Sequence, residues 1–198
     1  RDITLVAVTK TRTVDEVNAV VEAGASELGE NRVQEFVRKR DFVQGSPRWH
    51  IIGPLQTNKV KYLKGYDVLL QSLDRVELAE EIVKRLGAME VLVQVNISRE
   101  PQKSGISPQE LEPFLNGMTA FPDIKVQGLM CIAENSDESV VARQFQEMRR
   151  LFEKAESLGL PNVQAKYLSM GMSGDYELAI REGSNMIRVG TNLFGRRM

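Results

Sequence analysis

The sequence has 198 residues, 42% hydrophobic and 27% charged, which suits one globular domain over residues 1–198 and excludes a second catalytic domain. Lysine and arginine together number 26 against 27 aspartates and glutamates, so no strong positive charge favours nucleic acid or an anionic membrane as partner. The single cysteine excludes an internal disulfide, no apolar stretch approaches the roughly 18 residues that span a bilayer, and the first residues do not resemble a signal peptide. We therefore expect a cytoplasmic protein.

Short β-branched or aromatic segments alternate along the chain with segments of helical spacing. The predicted strands are 3–9, 27–29, 48–53, 68–72, 90–96, 125–132, 166–170 and 186–190. This alternation predicts a parallel sheet covered by helices. The number of strands favours an α/β fold closed as a single (β/α)8 TIM-type barrel over an open doubly wound sheet.

Capping-box patterns, in which a residue that caps helices is followed three positions later by Glu or Gln, predict where several helices begin. They occur at Thr13/Glu16, Asn31/Gln34, Asp74/Glu77 and Ser107/Glu110. The last of them has Pro108 at the first helical position, where proline is favoured.

Lys10 directly follows the first predicted strand. In barrels of this kind the active face is built by the loops after the carboxyl ends of the strands, so such a position is a candidate for chemistry. An apolar floor would disfavour the ammonium form by desolvation, and a neutral amine is what imine formation with an aldehyde requires. From position alone, a solvated surface lysine is the better interpretation.

The segments SMGMSGD and GTNLFG follow the seventh and eighth predicted strands, where barrels commonly hold phosphate. Glycines allow backbone N–H groups to approach an anion, and Ser169, Ser173 and Thr191 add hydroxyl donors. The alternative is that the glycines only form tight turns and that Ser173 or Asp175 caps the next helix. Both interpretations stay open at this point.

Three further polar residues stand on or beside predicted strands. Arg188 lies within the eighth strand, where its charge needs a partner such as a carboxylate or a pyridine nitrogen, and a guanidinium would keep such a nitrogen unprotonated. Asn31 could reach a ring substituent, although its spacing to Gln34 favours a helix cap. His50, the only histidine, lacks the companions of a metal site and is interpreted as a hydrogen-bonded core residue.

Taken together, the motifs resemble those of the pyridoxal phosphate homeostasis proteins, a family related to the N-terminal barrel of bacterial alanine racemase. The resemblance covers almost the whole chain. In order, its segments are VAVTK, GENRVQE, WHIIGPLQTNK, VQVNISREPQKSGI, GLMCI, LSMGMSGD and IRVGTNLFG.

The resemblance implies that pyridoxal 5′-phosphate (PLP) is held as a Schiff base on Lys10, with Arg188 facing the ring nitrogen and Asn31 near the ring. It implies that the phosphate lies against Ser169, Met170, Gly190 and Thr191. It further implies a monomer that acts in intracellular vitamin B6 homeostasis, binds PLP or hands it to PLP-dependent apoenzymes, and has no established enzymatic turnover.

Two alternatives remain. A PLP-dependent amino-acid racemase would need a second base, which the related racemases place as a tyrosine on a separate domain, and we expect none here. A barrel that binds another phosphorylated metabolite without covalent attachment would need only the phosphate loops.

The resemblance also concerns residues outside the predicted PLP site. Lys59 and Lys103 lie in matching strand-end motifs and could attract a second PLP phosphate or an acidic partner, although as isolated residues they are typical solvated lysines.

The family has a helix before VAVTK and a short tail after the final FG segment. Because the sequence starts at Arg1 and ends at Met198, we expect both to be missing or shortened here.

Overall fold

A computed structural model describes residues 2–195 and shows a closed barrel of parallel strands arranged in chain order. The strands are β1 (Thr4–Val8), β2 (Glu27–Glu30), β3 (Arg48–Ile51), β4 (Val68–Leu73), β5 (Met89–Gln94), β6 (Ile124–Met130), β7 (Val163–Ser169) and β8 (Met186–Val189). Closure pairs β1 with β8, with Thr4 opposite Met186 and Ala7 opposite Val189. The predicted TIM-type barrel and its eight strands are confirmed, although β7 begins earlier than predicted.

Helices connect the strands on the outside of the barrel. They are α1 (Val14–Glu22), α2 (Val33–Lys39), α3 (Val76–Leu86), α4 (Leu111–Met118), α5 (Glu138–Ser157), α6 (Tyr176–Arg181) and α7 (Thr191–Phe194). The connection between β3 and β4 is a 3-10 helix, Thr57–Leu63, in place of an α-helix. None of the helices within residues 2–195 is both long and apolar enough to cross a membrane.

Two of the predicted capping boxes are confirmed, at Thr13/Glu16 and Ser107/Glu110. The other two predictions are wrong. α2 begins at Val33, with Arg32 in the capping position, because the chain continues in extended form past Asn31. α3 likewise begins one residue later than its pattern predicts, and the carboxylate of Asp74 accepts a hydrogen bond from Arg75 instead (2.8 Å).

The core has two layers, as strand alternation in a covered barrel requires. The outer layer packs the sheet against the helices and contains Phe36, Phe145 and Leu78. The inner layer fills the barrel and includes the apolar side chains of Val6, Leu69, Leu92, Met130 and Met186. Buried polar side chains interrupt this inner layer, among them His50, Gln71, Ser169 and Arg188.

Candidate cofactor site

A cavity of about 350 Å³ lies at the carboxyl ends of the strands, the end at which barrels of this type build their sites. Its wall brings together five of the seven residues that the family resemblance assigns to PLP: Lys10, Asn31, Arg188, Gly190 and Thr191. The remaining wall is formed by Val8, Arg12, Ile52, Ile132, Met172, Ser173 and Gly174. The volume is at the lower end of the range of about 300–1,000 Å³ that is typical of small-molecule sites.

Lys10 follows β1 and is half-buried. Its side chain lines the cavity, and its amine has no hydrogen-bond or ion-pair partner among residues 2–195. An amine without an acceptor in the described part of the chain can meet a ligand in this cavity.

The turn that carries Lys10 is held by a buried ionic cluster from β2 and α2. The Thr9 hydroxyl donates to Glu30 Oε1 (2.8 Å), and Lys39 Nζ donates to the Thr9 carbonyl (2.7 Å) and to Glu30 Oε1 (2.6 Å). On the other side of Lys10, the Thr11 N–H donates to Glu35 Oε2 (2.6 Å). Thr11 has a φ of 63°, which a β-branched residue rarely adopts and which these contacts must stabilise. Lys10 therefore extends from a fixed turn.

The two carboxylates of this cluster have different electrostatic surroundings. Burial raises the pKa of Glu30, although hydrogen bonds from Lys39 and Thr9 and the charge of Lys39 oppose that effect. Burial acts in the same direction on Glu35, but the Thr11 N–H and the Lys39 ammonium outweigh it and lower the pKa of that carboxyl. Glu30 Oε2 is buried without a hydrogen-bond partner in the described chain. Stabilisation of the buried carboxylate therefore depends strongly on the Lys39 contact to Oε1.

Arg188 forms part of the cavity floor and is 3% exposed. Its Nη1 donates to Ser169 Oγ (2.7 Å) and its Nη2 donates to the Cys131 carbonyl (2.8 Å). Within the described residues it forms no ion pair, so its charge is balanced by neutral hydrogen-bond acceptors and by the carboxylate of Asp175. Burial lowers the pKa of Arg188, while Cys131 and Asp175 act in the opposite direction. Its remaining N–H groups are available to a ligand.

A second wall of the cavity consists of donors from the loops after β7 and β8. The Gly190 N–H donates to Ser173 Oγ (3.2 Å), which joins the two loops. The Thr191 N–H, at the start of α7, donates to no acceptor within residues 2–195. Free backbone donors beside hydroxyl groups form a favourable place for an anion.

The cavity wall does not include Ser169 and Met170. The Ser169 hydroxyl lies below the floor, where it donates to Gln71 Oε1 (2.6 Å) and accepts from Arg188. Met170 is fully buried in the outer core. The loop that the sequence singled out borders the cavity, but only the fold shows which of its side chains face it.

Asn31 borders this cavity and two neighbouring ones. Gly53 makes this placement possible: a Cβ atom there would lie 2.3 Å from the Asn31 carbonyl oxygen. Lys59 lines a wider open groove of about 1040 Å³ that shares Arg12 and Asn31 with the site. Lys103 lines a smaller cavity of about 190 Å³ and forms an ion pair with Glu100.

Sequence reasoning did not single out Arg12. It lines the cavity, donates to Glu16 (3.2 Å) and to the Gly195 carbonyl (2.9 Å), and lies over the Phe194 ring at 5.1 Å from its centroid. These contacts join the start of α1 to the end of α7 across the barrel closure. Its position two residues after Lys10 was the only available signal, because its partners lie near the other end of the chain.

Comparison with known proteins gives a consistent picture. Residues 2–198 match the family model described as alanine racemase, N-terminal domain. The chain is 41% identical to the pyridoxal phosphate homeostasis protein of Aquifex aeolicus, over 98% of this chain and 86% of that protein. It is 30% identical to PipY of Synechococcus elongatus, whose structure has PLP bound; the TM-score is 0.88, and the match covers 98% of this chain and 92% of that one.

Alanine racemase from Bacillus anthracis, solved with bound L-Ala-P, shares the fold with a TM-score of 0.77. The identity is 19%, and the match covers 99% of this chain but 52% of the racemase. That likeness therefore concerns the barrel alone. From the family model and the close full-length relatives together, the chain belongs to the pyridoxal phosphate homeostasis protein family, whose barrel is of the alanine racemase N-terminal type.

Proposed function

We propose that this protein binds PLP as a Schiff base on Lys10 and acts in intracellular PLP homeostasis. The observation that carries the proposal is that one cavity brings together the Lys10 amine, the Arg188 guanidinium and the Thr191 N–H. Within residues 2–195, neither the Lys10 amine nor the Thr191 N–H has a hydrogen-bond partner. The relatives named as homeostasis proteins and the PLP-bound PipY support it.

The donors of the cavity fit PLP. Bound PLP supplies an aldehyde for a lysine amine, a pyridine nitrogen and a phosphate. The chain offers an amine at Lys10, unused guanidinium N–H groups at Arg188, and a set of hydroxyl and backbone donors at Ser173, Gly190 and Thr191. The apolar side chains of Ile52 and Ile132 add walls for a flat ring.

We assign the parts of the site as follows. Lys10 forms the covalent link, and Asn31 lies beside the ring. The phosphate is held by Thr191, Gly190 and Ser173, with Ser169 and Met170 supporting that loop from below. Because a guanidinium beside the ring nitrogen opposes its protonation, Arg188 makes PLP a weak electron sink, which suits storage better than catalysis.

A PLP-dependent racemase remains the alternative, which the fold of alanine racemase favours. Racemisation needs one group to remove a proton and a second to deliver one from the opposite face. Among the described residues that line the cavity there is no tyrosine, histidine, cysteine or carboxylate. We therefore propose a carrier without efficient turnover, which acts as a monomer in the cytoplasm and supplies PLP to apoenzymes.

Reductive trapping tests the covalent link. The protein is incubated with PLP, reduced with borohydride and mapped by peptide mass spectrometry. We expect the label on Lys10 and its loss in Lys10→Ala, while Lys59→Ala and Lys103→Ala keep it. A label on another lysine, or none in a folded sample with excess PLP, would refute the assignment.

The same samples separate the remaining alternatives. Chirality measurements with L-alanine should show no conversion at ordinary enzymatic rates of roughly 1–1,000 per second. Conversion in that range that disappears in Lys10→Ala would establish a racemase. Binding of PLP that is unchanged in Lys10→Ala and gives no Schiff-base absorbance would instead indicate a non-covalent phosphate-binding barrel.

A further inference from the structure

A continuous line of hydrogen bonds runs through the inside of the barrel below the cavity. Arg188 Nη1 donates to Ser169 Oγ (2.7 Å), and the Ser169 hydroxyl donates to Gln71 Oε1 (2.6 Å). Gln71 Nε2 pairs with His50 Nδ1 (2.8 Å), and His50 Nε2 pairs with Glu27 Oε2 (2.6 Å). We call these five side chains the interior chain.

The chemistry of its groups gives the interior chain one direction. Gln71 Nε2 can only donate, so His50 Nδ1 must accept and the imidazole proton must be on Nε2, where it donates to Glu27. Every bond then runs from the Arg188 cation towards the Glu27 carboxylate. Turning the Gln71 amide over would set its Oε1 against the unprotonated His50 Nδ1, so that two acceptors would face each other; the Glu27 contact that keeps the imidazole proton on Nε2 therefore also fixes the amide.

This arrangement is unusual for the inside of a barrel, which branched apolar side chains normally fill. His50, Gln71 and Ser169 are each at most 1% exposed. A buried polar group without a partner costs about 1–3 kcal/mol, so such a chain is stable only while every member is satisfied. When every polar group of such a network has a hydrogen-bond partner, the directional bonds hold each side chain in one orientation. Apolar packing imposes no such restriction on orientation.

We propose that Gln71 and His50 are positioning residues which, through Ser169, hold the Arg188 guanidinium in the orientation that it presents to the bound cofactor ring. This inference rests on the proposed function, because it concerns the side of Arg188 that faces PLP. Neither Gln71 nor His50 lines the cavity, so any effect that they have on the ring must pass through the interior chain.

The first test needs no cofactor. Gln71→Met removes the contacts of the amide to Ser169, His50 and the Met186 sulfur at similar volume, and Ser169→Ala removes the acceptor of Arg188 Nη1. Matched controls are Gln127→Met, a buried glutamine that donates to Glu90, and Ser72→Ala, a buried serine that donates to the Gly53 carbonyl. The readouts are hydrogen exchange of the Arg188 side-chain N–H groups and the ring nitrogen resonances of His50, which is the only histidine and is therefore unambiguous.

We expect wild type and both controls to show slow Arg188 exchange and an imidazole protonated on Nε2. In Ser169→Ala, exchange should be about tenfold faster, the factor that corresponds to one lost hydrogen bond of Arg188. In Gln71→Met, which leaves the Ser169 hydroxyl without its acceptor, exchange should also be faster than in wild type. The His50 resonances should move in Ser169→Ala although that residue does not touch the ring. Equal exchange in Gln71→Met and Gln127→Met would overturn the inference.

The second test uses the protein loaded with PLP. We expect the absorbance spectrum of Gln71→Met to differ from that of wild type, with borohydride still labelling Lys10, and the spectrum of Gln127→Met to match wild type. Faster Arg188 exchange with an unchanged spectrum would overturn the link to the ring. If borohydride does not label the wild type at Lys10, the proposed function is refuted. The exchange measurement in the cofactor-free protein would still decide whether the interior chain positions Arg188.

Discussion

Lys39 illustrates how a single buried charge fixes the turn that carries Lys10. Its side chain is 8% exposed, and its ammonium contacts Glu30, Glu35 and the Thr9 carbonyl. Lys39→Met would leave the Glu30 carboxylate buried without its counter-ion, and removal of one partner of a buried pair costs about 3–5 kcal/mol. We expect a loss of that order in the free energy of unfolding, measured with urea near neutral pH.

Lys84→Met on α3 is the matched control for this prediction, since the Lys84 side chain is 69% exposed and lies 3.7 Å from Glu81. Exposed pairs of this kind contribute about 0–1 kcal/mol. Equal losses in the two variants would contradict the structural role given to Lys39.

Cys131 gives a second prediction at this scale. It is fully buried, and burial raises the pKa of its thiol to about 12, against the effect of the nearby Arg188 charge. Because the thiolate is the reactive form, an alkylating reagent should leave native Cys131 unmodified at neutral pH and label it fully in denaturant. The single cysteine makes the mass shift unambiguous. Rapid labelling of the folded protein would show that the segment directly after β6 opens readily.

The residues that the sequence located well are those whose position follows from a strand end. Lys10, Gly190 and Thr191 come directly after predicted strands, so the barrel alone brings them to one edge. Ser169 differs, because its hydroxyl is engaged by Gln71, which is 98 positions away in the sequence. No local pattern contains that information; it depends on the register between strands across the barrel.

At the scale of helices, two sequence patterns that look alike have different outcomes. Thr13 and Glu16 form a full capping box at the start of α1: the Thr13 Oγ accepts from the Glu16 N–H (3.3 Å) and Glu16 Oε2 accepts from the Thr13 N–H (2.7 Å). Asn31 and Gln34 have the same spacing without the cap, because α2 begins later. Close packing of Gly53 against the Asn31 carbonyl fixes that residue in the loop, and single-sequence spacing does not report such a long-range contact.

Because Thr13 caps a helix and Asn31 does not, alanine substitutions at these two positions should have unequal effects on the free energy of unfolding. Thr13→Ala should lower the free energy of unfolding by about 1 kcal/mol, the typical cost of a lost cap. Asn31→Ala removes no cap, so we expect a loss within about 0.5 kcal/mol, as for other substitutions away from such features. Both losses would be measured from urea unfolding curves, and the m-values should be unchanged. A larger loss in Asn31→Ala than in Thr13→Ala would show that Asn31 has a structural role that its contacts do not reveal.

For the whole molecule, the barrel was predictable because eight alternating segments leave few ways to cover a parallel sheet. The contacts that complete its closure and the polar side chains in its interior were not predictable from the sequence. The join between β1 and β8 is completed by Arg12 and Gly195, which are near opposite ends of the chain. The interior chain draws its members from β2, β3, β4, β7 and β8, so it exists only when the barrel is closed. Stability of the whole fold should therefore depend on the protonation of its one histidine.

That dependence has a definite sign. Burial lowers the pKa of His50 below its ordinary value of 6.5, although the hydrogen bond and charge of Glu27 oppose the effect. As the pH falls below 6.5, the unfolded chain takes up a proton that the native chain does not, so the free energy of unfolding decreases, by at most about 1.4 kcal/mol per pH unit for one group. Glu30, whose pKa burial raises, acts in the opposite direction just above pH 4.5.

A variant without the imidazole isolates the contribution of His50. We compare urea unfolding of wild type and His50→Gln from about pH 8 to about pH 5, a range in which other side chains contribute equally to both proteins. The difference in stability between them should be constant above the ordinary histidine pKa and should shrink progressively below it, because only wild type loses the contribution of a neutral imidazole. A difference that stays constant throughout would mean that His50 is protonated equally in the folded and unfolded chains, and the single direction of the interior chain would then be wrong.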